Sequence, residues 1–291
     1  MYGPNRSWAG RNSLRGENLT TTVQFDPDDE EFYGDMASIG AAKFDTILTG
    51  TPLNEGSIPR GFTLLAIGNQ GAGMDLFAKQ FSSVAEDPEN TLLVSTAESQ
   101  AEILSLYRRY DWPVDIMVRT MGEEYNRNVL ERDLRASRYR LEGFTMQDIQ
   151  RLAQTRFVEN EVHDYLTDLT SQMTSLPPYF RAAVDNLDFF FARNEPSRVI
   201  SMLRMIQAHT QLHRGILLLN VSSDMVDKSV ERELYAICDI VMEFEVGMLG
   251  TDFETRMVIR KFRNGPENLK AISFRVTKDE AITPETVDRI A

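Results

Sequence analysis

The sequence predicts an α/β protein: a mainly parallel central β-sheet flanked by helices, continued at its C-terminal end by antiparallel β-hairpins. Three observations carry this expectation. Short apolar runs alternate with stretches of helical periodicity between Phe62 and Val221. Those runs are continuous rather than alternating, as strands covered on both faces are. From Ile240 onward the pattern changes to a period of two, the mark of antiparallel strands with one wet face.

Taken in order, residues 1–35 read as a disordered tail. They are rich in Gly, Asn, Arg and Ser, then acidic at Asp26-Pro-Asp-Asp-Glu-Glu31, and offer too little apolar surface to offset the entropy of ordering. Residues 36–291 read as a single domain, with order starting near Ile39–Leu48 and a Gly- and Pro-punctuated loop over 49–60. A strand over Phe62–Ile67 passes through a glycine-rich turn into a helix over Leu76–Phe81. A second short strand, Thr91–Thr96, ends at Ala97-Glu98-Ser99, and Ser99–Tyr110 places Ala101, Leu104, Leu106 and Tyr107 at helical spacing. Val114–Val118 is a strand candidate. Residues 121–156 are charged and helical in pattern, a helical insertion with Thr145 as N-cap and Asp148 three residues on. A further helix runs from about Glu161 to Leu176 and stops at Pro177-Pro178. Phe180–Leu187 is a strand that ends in the carboxylate of Asp185. Ser197–His213 is an amphipathic helix, and Gly215–Val221 is the most apolar strand. Ile240–Val246, Thr255–Arg263 and Ala271–Val276 supply the alternating end.

The bulk properties exclude several function classes. No run approaches the roughly 18 apolar residues of a membrane span. Met1–Trp8 lacks the apolar stretch of a signal peptide, so a cytoplasmic protein is expected. Cys238 is the single cysteine and sits among apolar neighbours, a small core residue rather than half of a disulfide. The three histidines do not group with it, and no zinc site is expected. The net charge is −13, without a basic run, which argues against nucleic acid as a partner. Only 6 of the 31 basic residues are lysines. Few lysines beside many carboxylates is a habit of proteins from a high-salt cytoplasm.

The glycine-rich turn is the most informative stretch. Gly68-Asn69-Gln70-Gly71-Ala72-Gly73-Met74-Asp75 has the glycines and spacing of a phosphate-binding P-loop, between a strand and a helix. The pattern asks for Lys and then Ser or Thr at the last two positions. Met74 and Asp75 stand there instead.

Other stretches, in the same order along the chain, complete a resemblance. Gly56–Gly68 carries an Ile-Pro-Arg-Gly turn into the first strand, and Gln80-Phe81 closes the following helix. Val94-Ser-Thr-Ala-Glu98-Ser comes next, followed by Tyr107-Arg-Arg-Tyr-Asp-Trp112. Ala183-Val-Asp185-Asn-Leu is similar to a Walker B strand, and Lys261-Phe-Arg263-Asn-Gly to a Lys-x-Arg motif. Over roughly residues 39–284 the chain resembles the RecA-like ATPases of the KaiC type, abundant in archaea. The resemblance implies a RecA-like P-loop NTPase fold. It implies that residues Gly68, Asn69, Gln70, Gly71, Ala72, Gly73, Met74 and Asp75 face ATP, and that Asp185 and Asp75 are the Mg2+ ligands if there are any. Glu98 would polarise water, or survive with Asp185 as a relic, and Lys261 with Arg263 would reach the nucleotide of a neighbouring subunit. It also implies a homo-oligomer, such as a six-membered ring, or a paralogous ATPase as partner.

The departures matter as much. The lysine and hydroxyl of the loop are absent, the acidic pair is reduced to Ala97-Glu98, and the segment before Asp185 is longer and more helical than usual. A P-loop lysine contributes a charge-assisted bond of about 1.5–3 kcal/mol, and Met74 contributes none. Asp75 repels phosphates unless a metal intervenes. The leading expectation is a non-catalytic or weakly nucleotide-responsive regulatory or assembly protein of an archaeal cytoplasm, with ATP and Mg2+ weakly bound or absent. The alternatives are an active ATPase with an atypical metal site, in signal transduction, and an accessory of DNA recombination.

Overall fold

The structure is a computed structural model, and it describes residues 36–49, 56–84, 89–129, 163–249, 252–265 and 271–285, with the single positions 137 and 147. The tail expected over 1–35 and most of the insertion expected over 121–156 lie outside the described residues. Strands are β1 Met36–Ala37, β2 Ile58–Pro59, β3 Thr63–Gly68, β4 Thr91–Ser95, β5 Met117–Thr120, β6 Arg181–Val184, β7 Ile216–Ser222, β8 Ile240–Leu249, β9 Asp252–Phe262, β10 Ala271–Thr277 and β11 Ala281–Pro284. The helices used below are α1 Ala42–Thr49, α2 Met74–Ser82, α3 Gln100–Arg109, α4 over 121–129, α5 Tyr165–Thr174, α6 Asp188–Phe191, α7 Pro196–Leu212 and α8 Lys228–Ile237.

Among the described residues, nine strands form one sheet in the order β11-β10-β9-β8-β3-β7-β6-β4-β5. From β5 to β8 every neighbouring pair is parallel, and β8 to β11 are antiparallel. This is the expected α/β fold with its mainly parallel sheet and C-terminal antiparallel strands. Side chains of successive strand residues point to opposite faces, and both faces of β3 are covered. Leu65 and Ile67 join Leu92, Val94, Leu217 and Leu219 on the face that α5, α7 and α8 close. Leu64 and Ala66 join Leu93, Ala183 and Leu218 on the face that α1, α2 and α3 close. Double coverage is why these strands are apolar without alternation.

The edge strand differs from expectation. β5 occupies Met117–Thr120, later than the Val114–Val118 run, and its residues are exposed or half-buried. An edge strand beside only β4 gains less from apolar residues than a central one, so hydrophobicity marks its ends poorly.

The amino edge of the sheet is held by buried charges. The Glu89 side chain is fully buried and receives Arg181 in a two-bond fork, at 2.6 and 3.1 Å, together with Arg60 at 2.6 Å. Arg181, at the start of β6, also donates to the carbonyls of Ser38 (2.8 Å) and Phe81 (3.2 Å). Breaking such a network by removing its anion leaves charge buried without compensation. Glu89→Ala is therefore expected to lower unfolding free energy by about 3–5 kcal/mol, measured by urea denaturation followed by circular dichroism.

Candidate functional site

In parallel α/β sheets the carboxyl ends of the strands face the crevice where ligands bind. Here β3, β4, β6 and β7 end side by side, and the residues singled out in the sequence emerge from those ends. β3 finishes at Gly68, which lies so close to β8 that a Cβ there would sit 2.3 Å from the carbonyl oxygen of Phe244. The chain then turns through Asn69, Gln70 and Gly71, all exposed. The amide of Ala72 returns to the Asn69 carbonyl at 3.1 Å. Gly73, at φ 91°, is the N-cap of α2 and makes no side-chain capping bond. The free backbone amides of that first turn carry the positive end of the helix dipole. Ser223 ties the start of the loop, donating from its amide to the Gly68 carbonyl at 2.9 Å and from its hydroxyl to Asn69 Oδ1 at 2.7 Å.

The two positions that depart from the phosphate-loop pattern have opposite environments. Met74 is buried and packs in the apolar cluster with Phe77, Phe244 and Phe274. Its carbonyl accepts a 2.7 Å bond from Asn220 Nδ2 at the end of β7. Asp75 leaves about two-thirds of its side chain in solvent.

The carboxylates come from β4 and β6. Asp185 follows β6 and is buried, its Oδ2 accepting from Ser95 Oγ at 2.6 Å and its Oδ1 from the amide and hydroxyl of Thr96, both at 2.9 Å. Burial pushes its pKa above the ordinary carboxylate value, against the pull of those hydrogen bonds and of the nearby Lys79 charge. The Ser95 hydroxyl also accepts the Glu98 amide at 3.1 Å, so one side chain sets both acids. The α4 start presses on the same turn, since a Cβ on Gly122 would lie 1.8 Å from the Thr96 carbonyl oxygen.

One group at this edge was not singled out in the sequence. Lys79 lies on α2 with its side chain 2% exposed, and its ammonium meets Glu98 Oε2 at 2.8 Å. The same ammonium is 3.4 Å from the Asp75 carbonyl and 4.0 Å from its carboxylate. The signal was present as a lysine between Phe77, Ala78 and Phe81, four residues after an aspartate. Ser95, Thr96 and Asn220 were likewise missed, because short polar residues at strand ends carry no pattern of their own.

The site does not fit a magnesium ion as P-loop proteins hold one. Both oxygens of Asp185 are engaged by protein donors, Glu98 is paired with an ammonium, and Asp75 extends into solvent. Among the described residues no group of three or more His, Cys, Asp or Glu side chains is arranged to hold a metal. Lys261 and Arg263 are not brought to the loop of their own chain. Lys261 donates to the carbonyls of Tyr235 (2.7 Å) and Cys238 (2.6 Å), where α8 ends. Arg263 pairs with Asp239 at 2.9 Å and lies over the Phe62 ring. Asp239 in turn accepts the Thr63 amide at the start of β3, so both cations belong to the opposite edge of the sheet.

A family model described as a family of unknown function, DUF7125, matches residues 91–291. The chain belongs to that family. The match includes Glu98, Asp185, Lys261 and Arg263 and begins after the 68–75 loop and Lys79. No curated protein matches the chain. Two solved structures are similar in fold. The flagellar accessory protein FlaH from Methanocaldococcus jannaschii is 14% identical with a TM-score of 0.57, over 80% of this chain and 93% of its own. The KaiC-like protein PH0186 from Pyrococcus horikoshii is 17% identical with a TM-score of 0.56, over 86% and 99%. The fold of this DUF7125 member is thus KaiC- and RecA-like. Among the described residues no helix is long and apolar enough to cross a membrane.

The raised pKa of Asp185 has a definite sign in stability. Between the ordinary carboxylate value and the raised one, the folded protein binds more protons than the unfolded chain. The penalty for burying this carboxylate is full above that window and is relieved as pH falls through it. Relative to Asp185→Asn, which carries no such charge, the wild type is expected to gain stability as pH drops from neutral toward the carboxylate range. Paired urea titrations at several pH values read this difference.

Proposed function

We propose that this chain is a KaiC-like, RecA-fold protein with a degenerate phosphate loop, and that it works as a regulatory or assembly component without steady ATP hydrolysis. One observation carries the reading: the position where a P-loop lysine would meet phosphate holds Met74, buried in the core. The scaffold around it keeps free amides at a helix N-terminus, which suit an anion. What is missing is the charge that would bind a triphosphate tightly and stabilise its transfer. Glu98 is spent on an internal ion pair and Lys261 with Arg263 on their own subunit, which supports a reading without catalysis in either chain of a pair.

The relatives in fold favour the same class of role. One is described as a flagellar accessory protein, and an accessory place in a larger assembly suits a scaffold whose chemistry has gone. The partner is a protein: a second copy of this chain, as in a ring, or a paralogous ATPase, in an archaeal cytoplasm. The charge of −13 disfavours nucleic acid.

The test is titration calorimetry with ATP–Mg2+. The wild type is expected to bind weakly or not at all. Met74→Lys with Asp75→Thr is expected to tighten binding by about 1.5–3 kcal/mol, roughly ten- to a hundredfold in Kd. A thermal melt of the variant checks that exchanging a buried Met has not unfolded it. Sustained phosphate release by pure wild type, abolished by Asp185→Ala, would overturn the proposal in favour of an active ATPase with an atypical metal site.

A further inference from the structure

We infer that the ammonium of Lys79 replaces a divalent cation at this site, so that the carboxylates at the ends of β4 and β6 are balanced from inside the protein and bind no metal. The inference deepens the reading of the loop as non-catalytic and rests on it.

Three observations converge on Lys79. It is one of six lysines in the chain and its side chain is almost wholly buried, a place where an ammonium persists only beside an anion. Its anion is Glu98, whose Oε2 lies 2.8 Å from the ammonium as an ion pair. Its backbone is fixed as well: the Lys79 carbonyl accepts the buried Tyr107 hydroxyl at 3.0 Å, so the reach of the side chain is set by packing rather than by chance.

The position decides the role. Lys79 stands one helical turn beyond Asp75, which occupies the place where a P-loop hydroxyl would hold Mg2+. Its ammonium lies 2.8 Å from Glu98 and 4.0 Å from the Asp75 carboxylate, and its field also reaches Asp185, favouring the charged carboxylate there. Those are the acids nearest to where a P-loop protein would hold its metal, and in this structure they are not gathered into a group of three that could grip one. Mg2+ needs oxygens at about 2.0–2.1 Å in a near-octahedral shell. The ammonium offers donors where the metal offers empty orbitals, and it repels a second cation. The pairing of β4 with β6 keeps Glu98 and Asp185 on neighbouring strand ends, and the lysine removes the reason for a metal to enter.

The experiment reads metal binding by the full chain without nucleotide. Mn2+ is titrated calorimetrically and by electron paramagnetic resonance into wild type, Glu98→Gln, Lys79→Met, and Lys79→Met with Glu98→Gln. Wild type is expected to show no saturable Mn2+ binding beyond that of Glu98→Gln, and the same Tm in EDTA and in Mg2+. Lys79→Met is expected to lose stability in EDTA and to bind one Mn2+ roughly a hundredfold more tightly than wild type, the order expected when a unit charge a few ångströms from the metal is removed. Adding Glu98→Gln should abolish that binding. Saturable binding of Mn2+ by wild type that Glu98→Gln removes would overturn the inference, as would a folded Lys79→Met that binds none. Should Lys79→Met fail to fold, Lys79→Gln, which keeps a polar end there without the charge, takes its place, and a folded Lys79→Gln that binds no Mn2+ would overturn the inference. Mn2+ binding by wild type without turnover sinks the role of Lys79 alone, whereas phosphate release sinks the reading of the loop.

Discussion

β3 lies between β7 and β8, parallel to both, and the end of that strand governs the geometry around it. At Gly68 the neighbouring backbone is too near for any side chain. The chain must therefore leave the sheet as bare backbone and turn at once, and it does so onto the N-terminus of α2. Gly73 serves that turn, with a positive φ. Two of the three glycines that look like a phosphate cradle thus have reasons in packing and chain direction. Gly71 differs: it has a positive φ and nothing within 4 Å of where a Cβ would be. The sheet needs most of this glycine skeleton whether or not the loop meets a ligand.

Buried charge is distributed with the same economy. At the amino edge, Glu89 answers Arg60 and Arg181. At the carboxyl edge, Glu98 answers Lys79. Asp239 anchors Arg263 below β3. Asp185 has no salt bridge of its own among the described residues and relies on neutral donors from Ser95 and Thr96, which is why burial dominates its proton affinity. The protein therefore treats its two strand-end acids differently, one neutralised by a cation and one held by dipoles.

Much of the fold was legible in the sequence because it depends on continuous patterns. Leu64–Ile67, Leu92–Val94 and Ile216–Leu219 are apolar throughout since both faces are covered, and the helices between them show their buried stripe. The helix over Pro196–Leu212 falls within a residue of the expected span, started by a proline at its first position. The edge strand β5 was misplaced because a half-exposed strand has little pattern to read. The carboxyl-edge acids were legible as strand-end residues. Lys79 was not, because a helix with one lysine looks like a helix with a solvated face until the sheet shows which side is inside. Lys261 and Arg263 were legible as a motif, but their anchoring depends on the carbonyls of Tyr235 and Cys238 and the carboxylate of Asp239, none of which the motif contains.

The way α2 is fastened bears on how any event at the loop is transmitted. Asn220 holds its first carbonyl, Arg181 holds the carbonyl of Phe81 near its other end, and Gln80 exchanges two hydrogen bonds with Ile282. A helix clamped at head and foot cannot work as a piston. The compliant part is the short arc from Asn69 to Ala72, and its only side-chain hydrogen bond among the described residues runs to Ser223. A push on that arc is delivered to the turn after β7, which leads into α8, before it reaches the helix the loop precedes. In mechanical terms α2 is the chassis and Ser223 the linkage.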